Sequence, residues 1–193
     1  MGHFDLETVA EAQLVAETRL ASMPRRLAHV RGVAAAASGL VAGLDDAQAT
    51  AVVAASWLHD VGYAPSVKRT GFHPLDGAVF LDSAGWSREV VSLVAFHSGA
   101  AVEAELRGLS AQLAAFSSPS VVLLDAVTCA DMTTSPAGEP VSVEGRLAEI
   151  LSRYDAADPV HRAVSRSSPD LILSVRRCQD RLSARGRLGG QPR

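Results

Sequence analysis

Lys68 is the single lysine of the chain, alone among eighteen basic residues. Cysteine is almost as scarce: Cys129 and Cys178 are far apart, and neither belongs to a Cys-x-x-Cys pair. That excludes a zinc ribbon and a disulfide-rich scaffold. No run of about 18 apolar residues is present, so no membrane span is expected. The start, Met1-Gly2-His3-Phe4-Asp5 followed by Glu7 and Glu11, lacks the basic opening and apolar stretch of a signal peptide. The expectation is a soluble, cytoplasmic protein. With a net charge of -3 and a pI near 6.0, the chain has no general field for nucleic acid or an anionic membrane. A local basic pocket remains compatible with that balance.

What the chain does have is apolar content. Hydrophobic residues make up 48% of 193 residues, enough for a sizeable core in one domain. Their spacing is helical nearly throughout. Asp5 caps a first helix to about Ser22, and Pro24 opens a second that ends at Gly43. Asp45 or Asp46 caps a third, reaching His59-Asp60 and stopping at Gly62. Residues 62–72 read as a loop. Helices follow from Pro74 to Leu81 and from Glu89 to His97, the latter capped by Ser87. Shorter ones span Ala101 to Leu106 and Ala111 to Phe116, and a strongly apolar one runs from Val121 to Asp131. Thr133 to Pro140 is a turn-rich loop. The last helices are Val143 to Tyr154, Pro159 to Ser165 and Asp170 to Arg185. Val90 to Phe96 and Ser120 to Leu124 have strand-like composition, but they lie in longer helical patterns without hairpin punctuation. The fold class is all-α, a single-domain helical bundle. The apolar stretch Val121 to Leu124 could serve a homo-oligomer interface as well as a core.

The chemistry concentrates in six residues. His59-Asp60 ends an apolar helical run, and His97 and Asp131 end two others. His73 begins a helix and His29 lies within one. Imidazole and carboxylate together suit divalent first-row metals. A buried aspartate is costly unless it is paired or bound to a metal, and helix C-termini favour cations. These features point to a metal-dependent enzyme with its ion inside the bundle.

The same residues resemble the HD-domain superfamily of metal-dependent phosphohydrolases. The pattern of that family is a histidine, a His-Asp doublet and a distant aspartate, here His29, His59-Asp60 and Asp131. His73-Pro74-Leu75-Asp76-Gly77 is similar to the His-Pro-x-x-Gly segment of two-metal members, and His97 falls where those members supply a further histidine. The match spans about residues 25–135. The resemblance implies an N-terminal helix over 1–24, an HD-type metal-binding core over 25–135, a C-terminal helical extension over 136–185 and a flexible tail over 186–193. It implies one or two divalent ions, drawn from Mn, Fe, Co, Zn or Mg. One ion would be held by His29, His59, Asp60 and Asp131. Asp60 would bridge to a second, held also by His73 and His97, with a hydroxide between them attacking a phosphate ester or nucleotide. Asp60 and Lys68 are then the catalytic candidates, and Lys68 and Arg69 the candidates for holding substrate phosphate. The chain departs from the family in two places. Ser98-Gly99 stands where relatives continue with His-Glu, and Tyr63 stands where many carry lysine.

Other readings sit beside these. An HD-type di-iron oxygenase uses a comparable ligand set, and a non-catalytic module binding metal or nucleotide would keep it. Asp131 could instead cap the turn at Thr133 to Ser135. Asp76 reads as an exposed first-turn acid. Asp125 faces away from Asp131 or lies behind it. His161 reads as a surface residue, His3 as disordered, and Trp57 and Trp86 as core. Arg176, Arg177, Arg181, Arg185 and Arg187 read as a solvated helix face, with no nucleic-acid binding indicated.

Overall fold

Capping by acidic residues starts the bundle. The Asp5 carboxylate accepts from the backbone N–H groups of Glu7 and Thr8 and opens α1 (Leu6–Arg19). The computed structural model describes the backbone of residues 4–189 and the side chains of residues 4–185. Pro24 occupies the first turn of α2 (Pro24–Leu40), where a missing N–H is harmless. Asp45, not Asp46, caps α3 (Asp46–Leu58), in a reciprocal box with Gln48. The chain continues through α4 (His73–Ser83), α5 (Arg88–Phe96), α6 (Ala100–Leu106), α7 (Ser110–Leu113), α8 (Val121–Met132), α9 (Val143–Arg153) and α10 (Pro159–Gly189). The all-α expectation holds: among the described residues there is no strand, only one isolated bridge between Thr134 and Pro140. No helix among them is long and apolar enough to cross a membrane.

α3 is the centre of the bundle. Nine of its residues are buried, from Ala49 to Leu58, and it packs against α1, α2, α5 and α8. A helix apolar on nearly every side has to be surrounded in this way. One apolar core extends from Ala12 in α1 to Cys178 in α10, and Trp57 and Trp86 lean on it half-buried.

The C-terminal region departs from the expected pattern. The two helices expected at Pro159 to Ser165 and Asp170 to Arg185 are one helix, with Pro169 inside it. An internal proline removes one backbone donor and costs about 3 kcal/mol. Packing of α10 on α6, α8 and α9 offsets that loss. The hydroxyls of Ser167 and Ser168 also donate to the Ala163 and Val164 carbonyls beside the break. The helix persists through Gly189, into the segment read as a flexible tail. The remainder of that segment, like His3, lies outside the described residues.

The arginine series is not simply a solvated face. Arg177 and Arg181 reach across to Asp125 on α8, at 2.6 and 2.9 Å, and Ser174 donates to the same buried carboxylate at 2.5 Å. Those cations and the serine hydroxyl hold the Asp125 carboxyl below its ordinary range against the opposing effect of burial. Asp125→Ala is expected to weaken the attachment of α10. Arg177 and Arg181 stay 41% and 34% exposed and would recover water. The loss should therefore be about 1–3 kcal/mol rather than the larger figure for a fully buried pair. Urea denaturation measures it. A change within roughly 0.5 kcal/mol, the usual size at surface sites, would show that the cluster does not secure the helix.

Candidate metal centre

Two close approaches of backbone bring the ligand-bearing segments together. His59 caps α3 and Asp60 leads into a tight 3-10 turn, Val61–Tyr63. That turn lies against the start of α4. A Cβ on Gly62 would stand 2.0 Å from the His73 carbonyl oxygen and 2.7 Å from the Gly77 nitrogen. The glycines of the His-Asp-Val-Gly and His-Pro-x-x-Gly segments thus pack on each other, which sets His73 beside Asp60. On the other side, the loop after α8 folds back onto α2. Gly138, at a φ of +85°, lies so close to Gly32 and Ala28 that neither glycine has room for a Cβ. This contact brings the Ser135 carbonyl to His29.

The structure brings all six expected residues into two adjoining groups. His29, His59 and Asp131 each offer a ligand atom within 4.8 Å of the others, as do Asp60, His73 and His97. Either group could hold a metal ion. Asp60 touches both: Oδ2 lies 3.4 Å from His59 Nε2, and Oδ1 lies 3.4 Å from His73 Nε2. His73 Nε2 in turn lies 3.2 Å from His97 Nε2. His59 stacks edge-on with both His29 and His97, ring centroids 5.4 and 5.2 Å apart.

Three of the rings are oriented by backbone carbonyls. Nδ1 faces the Ser135 oxygen in His29 at 3.0 Å, the Ser56 oxygen in His59 at 2.8 Å and the Val94 oxygen in His97 at 2.7 Å. A proton placed on Nδ1 by such a bond leaves Nε2 with a free lone pair, the arrangement found in metal-ligating histidines. His59 Nε2 is fully buried and has no hydrogen-bond partner among the described residues, with Asp60 Oδ2 a charged neighbour at 3.4 Å. A buried polar atom without a partner is rare and calls for a reason. A cation among these nitrogens and carboxylates would satisfy it, so the residues present fit a metal.

Burial and neighbouring charges act on these side chains in opposite directions. Burial opposes ionisation of Asp60, but Arg26, His59 and His73 hold its carboxyl well below the usual range. Burial likewise opposes Asp131, and His29, His59 and Arg146 hold it low. Burial pushes His73 well down and His97 down, with neighbouring cationic groups adding to it and the Asp60 carboxylate opposing it. His59 is the exception: burial would lower it, but Asp60 and Asp131 raise it.

The surrounding residues fix these side chains. Ser98 adopts a left-handed backbone (φ 47°), directly after His97, and its hydroxyl donates to Asp131 Oδ2. The Asp131 carboxylate faces His29 and Ser98 and does not cap the following turn. Ser98 thus orients a candidate ligand, Asp131. Tyr63 stacks on His73, centroids 4.1 Å apart, and Arg26 lies 4.0 Å over the other face of Tyr63 while pairing with Asp60 at 2.6 Å.

Lys68 and Arg69 do not reach this centre. Both are exposed and neither lines the cavity beside the cluster. The Arg69 backbone instead donates to Asp76, together with the N–H groups of Thr70 and Gly71. Asp76 is accordingly buried, not exposed as expected, and it pins the loop before α4. The cations that do line the cavity are Arg26, Arg146 and Arg153. Sequence reasoning missed them. The available signal was Arg146, an arginine in register with Val143 and Ile150 on an otherwise apolar helical stripe. His161 stays outside both ligand groups.

No family model, curated protein or solved structure matches the chain, so the site is read from its own geometry.

Proposed function

We propose that the protein is a metal-dependent phosphohydrolase acting on a phosphate ester. The observation that carries this reading is the unpartnered His59 Nε2, buried among imidazoles and carboxylates beside a cavity lined with arginine. The ordered resemblance of the six residues to HD-type hydrolases supports it. His29, His59 and Asp131 would hold one ion, and His73, His97 and Asp60 another, with Asp60 facing both. Bound divalent ions supply Lewis-acid polarisation of a phosphoryl oxygen and lower the pKa of water toward neutrality.

The chain's own residues account for the anion. Asp60 and Asp131 cancel only part of the charge of two divalent ions, and Arg26 and Arg146 add to the surplus. An anionic substrate removes that imbalance, and a neutral one does not. Arginine guanidinium groups match phosphate oxygens in geometry and charge. Arg26, which contacts Asp60, therefore takes the phosphate-holding role that the sequence had suggested for Lys68 and Arg69, and Arg146 and Arg153 extend the cationic lining of the same cavity.

The test is metal analysis of untagged protein purified without chelator, paired with a phosphoester screen in manganese, cobalt or iron. Metal bound in purified protein and phosphate release are expected. His97→Ala should lower the metal content of the second group and leave the first loaded. Unchanged stoichiometry would reduce the centre to a single ion. Oxygen consumption by iron-loaded protein without phosphate release would overturn the hydrolase reading in favour of oxygenase chemistry.

A further inference from the structure

A second, larger cavity shares part of its lining with the one at the cluster. The inner cavity, about 80 Å³, is lined by five of the six candidate ligands, all but His59. The outer one, about 420 Å³, shares Arg26, His29, Arg146 and Arg153 with it and adds Arg25 and Pro136. A ligand whose reacting phosphate sits inside must place the rest of itself among these arginines.

Two of them are held for the purpose by α9. Arg146 and Arg153 lie two turns apart on one helical face, with Glu149 between them. The Glu149 carboxylate takes Arg146 Nη1 at 2.7 Å and Arg153 Nε at 3.1 Å. One carboxylate orienting two guanidinium groups leaves a net positive charge. Arg146 is only 6% exposed, and its Nε is buried without a partner. An arginine so buried retains its charge and leaves a donor unmet. It also lies 3.9 Å from Asp131, so its charge acts on the ligand cluster as well as on the cavity.

We infer that Arg146 and Arg153 form a subsite for a second anionic group, so that the substrate is a phosphomonoester carrying another phosphate or a carboxylate on its alcohol portion. This rests on the hydrolase reading for the first phosphate and extends it to the leaving group. The selectivity lies in α9, outside the segment that carries the metal-ligand pattern. An uncharged alcohol would leave the surplus charge uncancelled.

The experiment uses the full chain and two readouts. The first compares kcat/KM in manganese for four esters: ethyl phosphate, phosphoglycolate, ethylene glycol bisphosphate and adenosine 5′-monophosphate. The two esters with a second anionic group should exceed ethyl phosphate by about tenfold or more, the worth of one charge-assisted hydrogen bond. Which of them leads distinguishes carboxylate from phosphate. The second readout is calorimetric binding of 3-phosphonopropionate against propylphosphonate, with manganese and after chelator treatment. The same preference of about tenfold is expected. Arg153→Gln, at an exposed side chain, should narrow both ratios to near one. Arg146→Gln should do the same where it folds. Equal treatment of the charged and uncharged members of each pair, or a lead for the nucleotide, overturns the inference. A binding preference without turnover of any ester would sink the hydrolase reading and leave the subsite standing.

Discussion

Asp60→Asn is expected to strip the protein of most of its bound metal and to lower phosphoester turnover by at least about a hundredfold, roughly 2.7 kcal/mol in the barrier. Asparagine keeps the shape and removes the charge. Asp60 faces both ligand groups, 3.4 Å from His59 and 3.4 Å from His73. It is also the counter-ion of Arg26 at 2.6 Å. An amide NH2 turned toward Arg26 would set donor against donor, and turned the other way it would present hydrogens to the site where a cation is proposed. Either orientation therefore weakens a contact the carboxylate makes. Loss of turnover through simple unfolding is separable by thermal melting of chelator-treated protein. Arg26 is about one-fifth exposed and can regain water, so the metal-free variant should still melt cooperatively. Metal content and turnover both at the level of the unaltered protein would mean that Asp60 is not a ligand.

The helices were legible because their signals are local. Asp5, Asp45 and Ser87 cap where their positions suggest, the 3.6-residue apolar spacing is strong in α5, and α3 and α8 are apolar on nearly every side. α10 was misread because Pro169 is a strong local stop signal, and the contacts that override it come from α8, more than forty residues earlier in the chain. The six candidate ligands were legible for a different reason. Their residue types are expensive to place at the ends of apolar helices, and such placements stand out in a sequence. The arginines were not legible. Arg26, Arg146 and Arg153 meet only because α2 and α9 border one cavity, and arginine is common throughout this chain. Lys68 drew attention by being unique, yet rarity in composition has no bearing on where a loop residue points. Asp76 shows the same limit. Nothing near it in sequence reveals that three backbone donors of the preceding loop turn back onto its carboxylate.

Gly62→Ala is expected to be among the most damaging single-methyl additions the chain can receive. Its φ is not in the left-handed region, so alanine could adopt the backbone conformation. The obstacle is space. The added Cβ would meet the His73 carbonyl oxygen at 2.0 Å, the Gly77 nitrogen at 2.7 Å and the His73 carbonyl carbon at 2.8 Å. All three are backbone atoms, so no rotamer change relieves the overlap. The 3-10 turn and α4 must separate instead. Overpacking of this kind costs about 3 kcal/mol or more, a fall of roughly 6–12 °C in melting temperature for a chain of this size. The same separation moves His73 away from Asp60, and a displacement of about 1 Å at a reacting centre can cost a hundredfold in rate. Turnover should therefore fall further than stability does, and metal content should fall with it. Gly39→Ala is the matched control. Gly39 lies near the end of α2 with no atom within 4 Å of the new Cβ. Alanine there should be neutral or stabilising by up to about 1 kcal/mol. Comparable melting temperatures for the two variants would show that the approach of the two glycine-containing motifs does not hold the two ligand groups together.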